Sequence, residues 1–220
     1  MQQLAIPEQE QFANRSWTPL RFSDRLVERE KLRCLLENTT RTPSFLNEQP
    51  WNFIIATKDD PIEFERLFGC LSEASAELVR KAPVLMLSVA KLTYSFDGER
   101  NTHAFRDARH AVSHLLQKAK VMGFTAEQMA GFNPAKARQQ FKIPSEYEPV
   151  AAIAIGYPAE PEGLTLPVLE EATREKRPLE SFVFTGSWGQ ASRLLDQAAL
   201  NDTDCAGNTL RFFQPEVVSA

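Results

Sequence analysis

The chain has 220 residues, of which 43% are apolar, and a formal net charge of −4. That is material for one sizeable core, so a single domain spanning 1–220 is expected. Acids and bases are interspersed and no apolar run approaches the roughly 20 residues of a membrane span, which argues against nucleic-acid and membrane partners.

The N-terminus, Met1-Gln2-Gln3-Leu4-Ala5, lacks a basic region followed by an apolar core, so no secretory leader is visible. Cys34, Cys70 and Cys205 form an odd, widely spaced set. Such a set favours reduced thiols in a cytoplasmic protein over a disulfide frame or a Cys-rich metal site.

In chain order, residues 28–38 read as a helix with Leu32, Leu35 and Leu36 on one face, and 51–56 as a short apolar strand. Helices are expected over 61–71 and 74–81. The run 83–90 (Val84, Leu85, Met86, Leu87, Val89) is apolar nearly throughout, as a buried strand would be. Residues 92–99 read as a loop with a turn at Asp97-Gly98. Asn101 or Thr102 would cap a long helix reaching Met122 and closed by Gly123. Its stripe includes Ala104, Ala108 and Ala111, small enough for close packing either inside the subunit or between subunits. Asn133-Pro134 starts a short helix, 150–157 is a second buried strand, and 160–167 is a linker. An amphipathic piece over 191–200 and a candidate strand over 210–213 follow. Helices and strands alternate irregularly, which implies an α+β layered fold.

The stretch Pro43-Ser44-Phe45-Leu46-Asn47-Glu48-Gln49-Pro50-Trp51 clusters the donors and acceptors of Ser44, Asn47 and Gln49 between two stiffening prolines. Such a loop suits the edge of a flat polar heterocycle; the alternative is an ordinary helix-to-strand connection. The stretch resembles the P-S-x-x-N-x-Q-P-W signature of the nitroreductase family of flavin enzymes. Two further blocks agree in order and distance: Gln128-Met129-Ala130-Gly131-Phe132 with Ile143-Pro144 and Ile153-Ala154-Ile155-Gly156-Tyr157, and Arg174-Glu175-Lys176-Arg177-Pro178. Three ordered motifs over about 17–189 are fairly specific, where one would be weak.

The resemblance implies a three-layer sandwich with a mixed, mainly antiparallel sheet between helices. It also implies a homodimer that holds FMN at the subunit interface and exchanges C-terminal segments, 190–220 here. NADH or NADPH would deliver hydride, and an electron-poor small molecule (nitroarene, quinone or conjugated carbonyl) would accept it. The alternatives are a family-shaped protein that has lost its flavin and binds another small molecule or a partner, and an FMN-dependent oxidase or desaturase.

By the same resemblance, Pro43, Ser44, Asn47, Gln49 and Asn101 contact the flavin, with Ala130 and Gly131 offering backbone to its ring. Arg174, Lys176 and Arg177 are the phosphate candidates. The N-terminal arm departs from the family's R-x-S-x-R. Thr18 falls at the hydroxyl, whereas Ser16 and Leu20 fall at the arginines, with Arg15 and Arg21 each one position away. Arg109 stands where a glycine is usual. No acid, base or nucleophile is assigned, because the cofactor carries hydride chemistry.

His103, Asp107, His110 and His114 share one helix face. They read as a polar face and not as metal ligands. Phe45, Phe96 and Phe105 are candidates for a substrate lid. Trp17, Trp51 and Trp188 read as core or interface anchors, and Cys34 as a packed thiol.

Overall fold

The computed structural model describes residues 22–159 and 177–192. The chain divides after Leu164 into two units, so these two stretches are described separately.

In the first, α1 (Arg29–Thr39) leads through a 3₁₀ turn (Phe45–Asn47) into β1 (Trp51–Thr57). Then come α2 (Pro61–Phe68), α3 (Glu73–Val79), β2 (Val84–Lys91), α4 (Ala104–Val121), β3 (Thr125–Met129), α5 (Pro134–Phe141) and β4 (Tyr147–Gly156). The strands pair in the order β1-β2-β4-β3, and every pair is antiparallel. Among the described residues the sheet is therefore uniformly antiparallel, in keeping with the mainly antiparallel sheet expected.

The run in β2 is apolar nearly throughout, with Ser88 as its buried polar exception, because both faces of the sheet are covered. Leu85, Leu87 and Val89 face one core with Phe64 and Leu67 of α2, Val79 of α3 and Ala137 of α5. Val84 and Met86 face the other, with Leu32 and Leu35 of α1 and Val112 and Leu115 of α4. β4 divides in the same way, Ala152 and Ala154 against Ile153 and Ile155. The three-layer sandwich expected from the motifs is thus present, held by a period of two that buries alternate residues on opposite faces.

Helix ends follow their local chemistry. Asp60 accepts the Glu63 N–H and Ser72 the Ser75 N–H, and each cap satisfies a donor the helix leaves unpaired. α2 starts where expected and ends early, at Phe68 before its cap Gly69, while α3 starts one residue earlier than expected behind Ser72 and ends at Val79. β4 starts at Tyr147, earlier than expected, and pairs along β2 with a bulge at Ser88/Val89. Gly156 closes it because a methyl there would stand 2.5 Å from Pro83 Cδ.

β3 was not expected from sequence. Phe22 pairs with Pro158 and brings the chain beside Tyr157, whose hydroxyl donates to Glu28 (2.7 Å) and accepts from Lys31 (2.6 Å). The Tyr157 hydroxyl is the main reason the Glu28 carboxyl lies well below the usual range, at about 2.

The alanine stripe of α4 lies inside the subunit. Ala104, Ala108 and Ala111 pack with Trp51 and Ala90, so the small side chains let the helix lie close to the β1–β2 end of the sheet.

In the second described stretch, Leu179–Ser181 forms a 3₁₀ turn, and Phe184 pairs with Ala191 across a turn carrying Gly186 and Gly189 at positive φ. Trp188 rests edge-on against Phe184 but is 93% exposed, so it is not a core anchor within this chain. Trp17, the amphipathic piece, the candidate strand 210–213 and the linker beyond residue 159 lie outside the described residues.

Candidate active site

The loop between α1 and β1 is wound in an unusual way. Leu46, Asn47 and Gln49 all have positive φ, at 52°, 57° and 45°. Asn tolerates this region; Leu and Gln adopt it at a cost of about 1–3 kcal/mol each. Such a conformation persists only where surrounding contacts over-determine it, and here they do. The Asn47 N–H donates to Ser44 O (3.1 Å), the Glu48 N–H to Phe45 O (3.1 Å) and the Gln49 N–H to Ser44 Oγ (3.0 Å).

Two longer-range bonds pin the loop to its neighbours. The Phe45 N–H donates to Asp107 Oδ2 (2.9 Å), and the Lys91 N–H to Pro50 O (2.8 Å). Asp107 is 1% exposed on the first turn of α4, and its other oxygen accepts Arg106 Nε at 2.9 Å. A buried carboxylate thus fastens the loop to the helix.

The winding sets two side chains against each other. Gln49 Nε2 donates to Asn47 Oδ1 at 3.0 Å. Asn47 Nδ2 and Gln49 Oε1 have no partner among the described residues. A free donor and a free acceptor on two hydrogen-bonded side chains match the groups that the imide edge of a flat heterocycle presents. Ser44 accepts through its oxygen and keeps its own proton to donate. Pro43 is exposed at the loop's entrance.

Asn101 supplies a second unsatisfied group. It is buried just before α4, its Oδ1 accepts the His103 N–H (2.9 Å), and its own N–H donates to Leu92 O (2.7 Å). It therefore acts one turn before the helix start at Ala104. Its Nδ2 is buried with no partner among the described residues. A buried amide donor left unpaired is costly and rare, and a ligand would satisfy it.

The other candidates fall elsewhere. Ala130 is exposed. Gly131 is glycine for a reason other than the one expected. A Cβ there would stand 2.4 Å from Ser75 Oγ and 2.5 Å from Ser72 Oγ, so the close approach is to the capped start of α3. The Gly131 carbonyl accepts the Ser72 N–H at 2.8 Å. In the second unit, the Arg177 guanidinium donates to Ser181 O (2.9 Å) and lies over the Phe182 ring, so it is engaged by its own turn. Arg15, Ser16, Thr18, Leu20, Arg21, Arg174 and Lys176 lie outside the described residues.

Arg109 is exposed and fills no interior space. The histidine stripe does not converge. Asp107 serves the loop, His114 Nδ1 pairs with Thr42 Oγ1 at 3.0 Å, and the His103 ring packs on Phe45. Among the described residues no group of three or more His, Cys, Asp or Glu is placed to hold a metal ion. Cys70 is buried, and burial pushes its thiol above the usual range. A groove of about 720 Å³ lies at the far end of β1, lined by Leu26, Leu32, Asp59, Ile62 and Pro83; no candidate site residue borders it. No helix among the described residues is long and apolar enough to cross a membrane.

Residues 17–157 match the sequence profile of the Nitroreductase family. The chain belongs to the nitroreductase family. An NADH dehydrogenase of Thermus thermophilus is 28% identical, over 59% of this chain and 76% of that one. A crystal structure described as an oxidoreductase containing FMN superposes with a TM-score of 0.69 at 27% identity, covering 78% of this chain and 88% of the other. A nitroreductase family protein from Clostridium difficile 630, 23% identical, superposes with a TM-score of 0.62 over 80% of this chain and 96% of its own, which extends the agreement in fold. The strained Ser44–Gln49 loop lies within the matched residues and coincides with the stretch Pro43–Trp51 that carried the resemblance. The sequence missed two features of this site. Nothing in the sequence marked Leu46 and Gln49 as left-handed, and the anchoring role of Asp107 was hidden by its place in a polar stripe.

Proposed function

We propose that this chain is an FMN-dependent oxidoreductase that takes two electrons from NADH or NADPH and passes them to an electron-poor acceptor. Acceptors of the right class are nitroarenes, quinones and conjugated carbonyls. For a quinone the balance is NAD(P)H + H⁺ + quinone → NAD(P)⁺ + hydroquinone. The observation that carries the reading is the left-handed loop, which bonds the Gln49 amide to Asn47 Oδ1 and leaves Asn47 Nδ2 and Gln49 Oε1 without a partner among the described residues. The orphaned Nδ2 of Asn101 supports it from the start of α4.

These groups fit a flavin's pyrimidine edge, which offers carbonyl acceptors flanking an N–H donor. Ser44, Asn47, Gln49 and Asn101 would hold that edge. Arg15, Ser16, Thr18, Arg21, Arg174, Lys176 and Arg177 are the candidates for the phosphate and ring from the termini. Bound FMN would supply a centre that takes up and releases a hydride equivalent. The chain's own contribution is orientation: the pinned loop fixes the donor–acceptor pair before the ligand arrives, so little ordering cost is met on binding. The likeness to an FMN-containing oxidoreductase and to an NADH dehydrogenase points the same way. We read the working unit as a cytoplasmic homodimer, on the family resemblance and the three widely spaced cysteines.

Gently purified protein is expected to be yellow. Anaerobic NADH or NADPH should bleach the visible flavin band, and a quinone should restore it. Protein that stays colourless after incubation with FMN would favour a flavin-deficient binding protein. A flavin that no nicotinamide bleaches, but that a reduced organic substrate does, would favour an oxidase or desaturase.

A further inference from the structure

Residues 92–99, expected as a loop with a turn at Asp97-Gly98, form part of a small hairpin with Gly98 at positive φ. Thr93 pairs with Arg100, the Tyr94 N–H donates to Glu99 O (2.8 Å), the Gly98 N–H to Tyr94 O (3.1 Å), and Asp97 Oδ1 accepts the Glu99 N–H (2.9 Å). The hairpin is fastened to the strained loop by one charged contact: Glu48 Oε2 accepts the Ser95 N–H at 3.0 Å. Lys91 Nζ donates to Ser95 Oγ at 2.8 Å from the other side.

These anchors line up a row of rings. His103 packs on Phe45 at 4.3 Å, Phe45 meets Tyr94 at 6.1 Å, and Tyr94 stacks on Phe96 at 5.2 Å with 29° between planes. Phe45 is 41% exposed and Phe96 is 64% exposed. A single exposed apolar side chain requires no explanation. A row of rings that begins two residues from Asn47 and is held in place by a carboxylate invites one.

We propose that the Thr93–Arg100 hairpin is an acceptor-selecting arm, in which Phe96, backed by Tyr94 and held by the Glu48–Ser95 bond, stacks on flat, electron-poor aromatic acceptors. The inference rests on the oxidoreductase reading above. Ring faces attract other rings, most strongly electron-poor ones, whereas a compact inorganic ion gains nothing from them. Glu48 is a positioning residue: it touches no acceptor and acts through Ser95.

The test uses the flavin-loaded full-length protein with NADH and two acceptors, menadione and ferricyanide. Phe96→Ala should lower the ratio of kcat/KM for menadione to that for ferricyanide by about 3- to 10-fold, mainly through KM for menadione. Phe96→Trp should keep the ratio within about twofold. Glu48→Gln, which keeps an acceptor but removes the charge, should lower the ratio by roughly 2- to 5-fold. Val121→Ala, which removes an exposed apolar side chain at the far end of α4, should leave it as it was. An unchanged ratio in Phe96→Ala, with both acceptors still reduced, overturns the arm and leaves the functional reading standing. If Phe96→Ala instead lowers the oligomeric state and spares the ratio, the ring belongs to a contact between copies and the inference fails. Protein that takes up no FMN and oxidises no NADH with either acceptor overturns the functional reading and the arm together.

Discussion

Asp107→Ala is expected to destabilise the protein by about 2–4 kcal/mol and to release the loop before β1. The carboxylate is 1% exposed and accepts the Phe45 N–H and Arg106 Nε, both at 2.9 Å. Its partners differ in what they lose. Arg106 is half exposed and turns to water at little cost. Among the described residues the Phe45 N–H has only this acceptor, and it lies next to three left-handed residues whose conformation depends on the loop being pinned. Losing the anchor therefore exposes the strain as well as the bond. For a chain of this size the loss corresponds to a thermal midpoint lower by roughly 5–15 °C. Asp107→Asn retains an oxygen for Phe45 and should lose less than half as much. A calorimetric scan of the two variants checks this. If Asp107→Ala melts within about 2 °C of the parent, Asp107 does not hold the loop.

Gly131→Ala is the second large effect, at about 1–3 kcal/mol. A methyl at Gly131 would meet the hydroxyls of Ser75 and Ser72 at 2.4 and 2.5 Å. Those hydroxyls are not free to swing aside, because Ser72 caps α3 by accepting the Ser75 N–H and also donates to Ser75 Oγ at 3.1 Å. Moving them forfeits a cap worth about 1 kcal/mol. Ser75→Ala removes one of the two obstacles and leaves the capping oxygen in place. The double variant Ser75→Ala/Gly131→Ala should therefore recover part of the loss, and denaturant titration of the four proteins gives the coupling directly. Equal losses in the single and double variants would show that Gly131 is required by something other than Ser75.

The layered fold was readable because the buried strands carry their signal in composition. β2 is apolar on both faces, and both faces are covered. β3 was not readable. Thr125, Ala126 and Met129 are buried, Glu127 is partly so and Gln128 is exposed, a pattern that follows no period of two. Among the described residues it is an edge strand paired to β4 alone, so backbone bonds define it and its side chains do not. The alanines of α4 announced close packing but not the neighbour. Trp51 and Ala90 supply that answer, and they are distant in sequence.

The site divides in the same way. Ser44, Asn47 and Gln49 were readable as a polar cluster, while the winding that pairs Asn47 with Gln49 was not, since neither Leu nor Gln signals a left-handed backbone. The importance of Asn101 rests on a buried Nδ2 with no described partner, a fact of packing that no spacing contains.

The central claim is that the Ser44–Gln49 loop holds the polar edge of FMN, and a fluorescence titration of flavin-stripped protein with FMN tests it most directly. Asn47→Asp keeps the oxygen that accepts from Gln49 and tolerates the same backbone, but replaces the Nδ2 donor with a carboxylate oxygen. The account predicts saturable binding by the parent protein and a dissociation constant roughly 10- to 100-fold weaker for Asn47→Asp. An identical constant for the two proteins would contradict it, as would a parent protein that does not bind FMN at all.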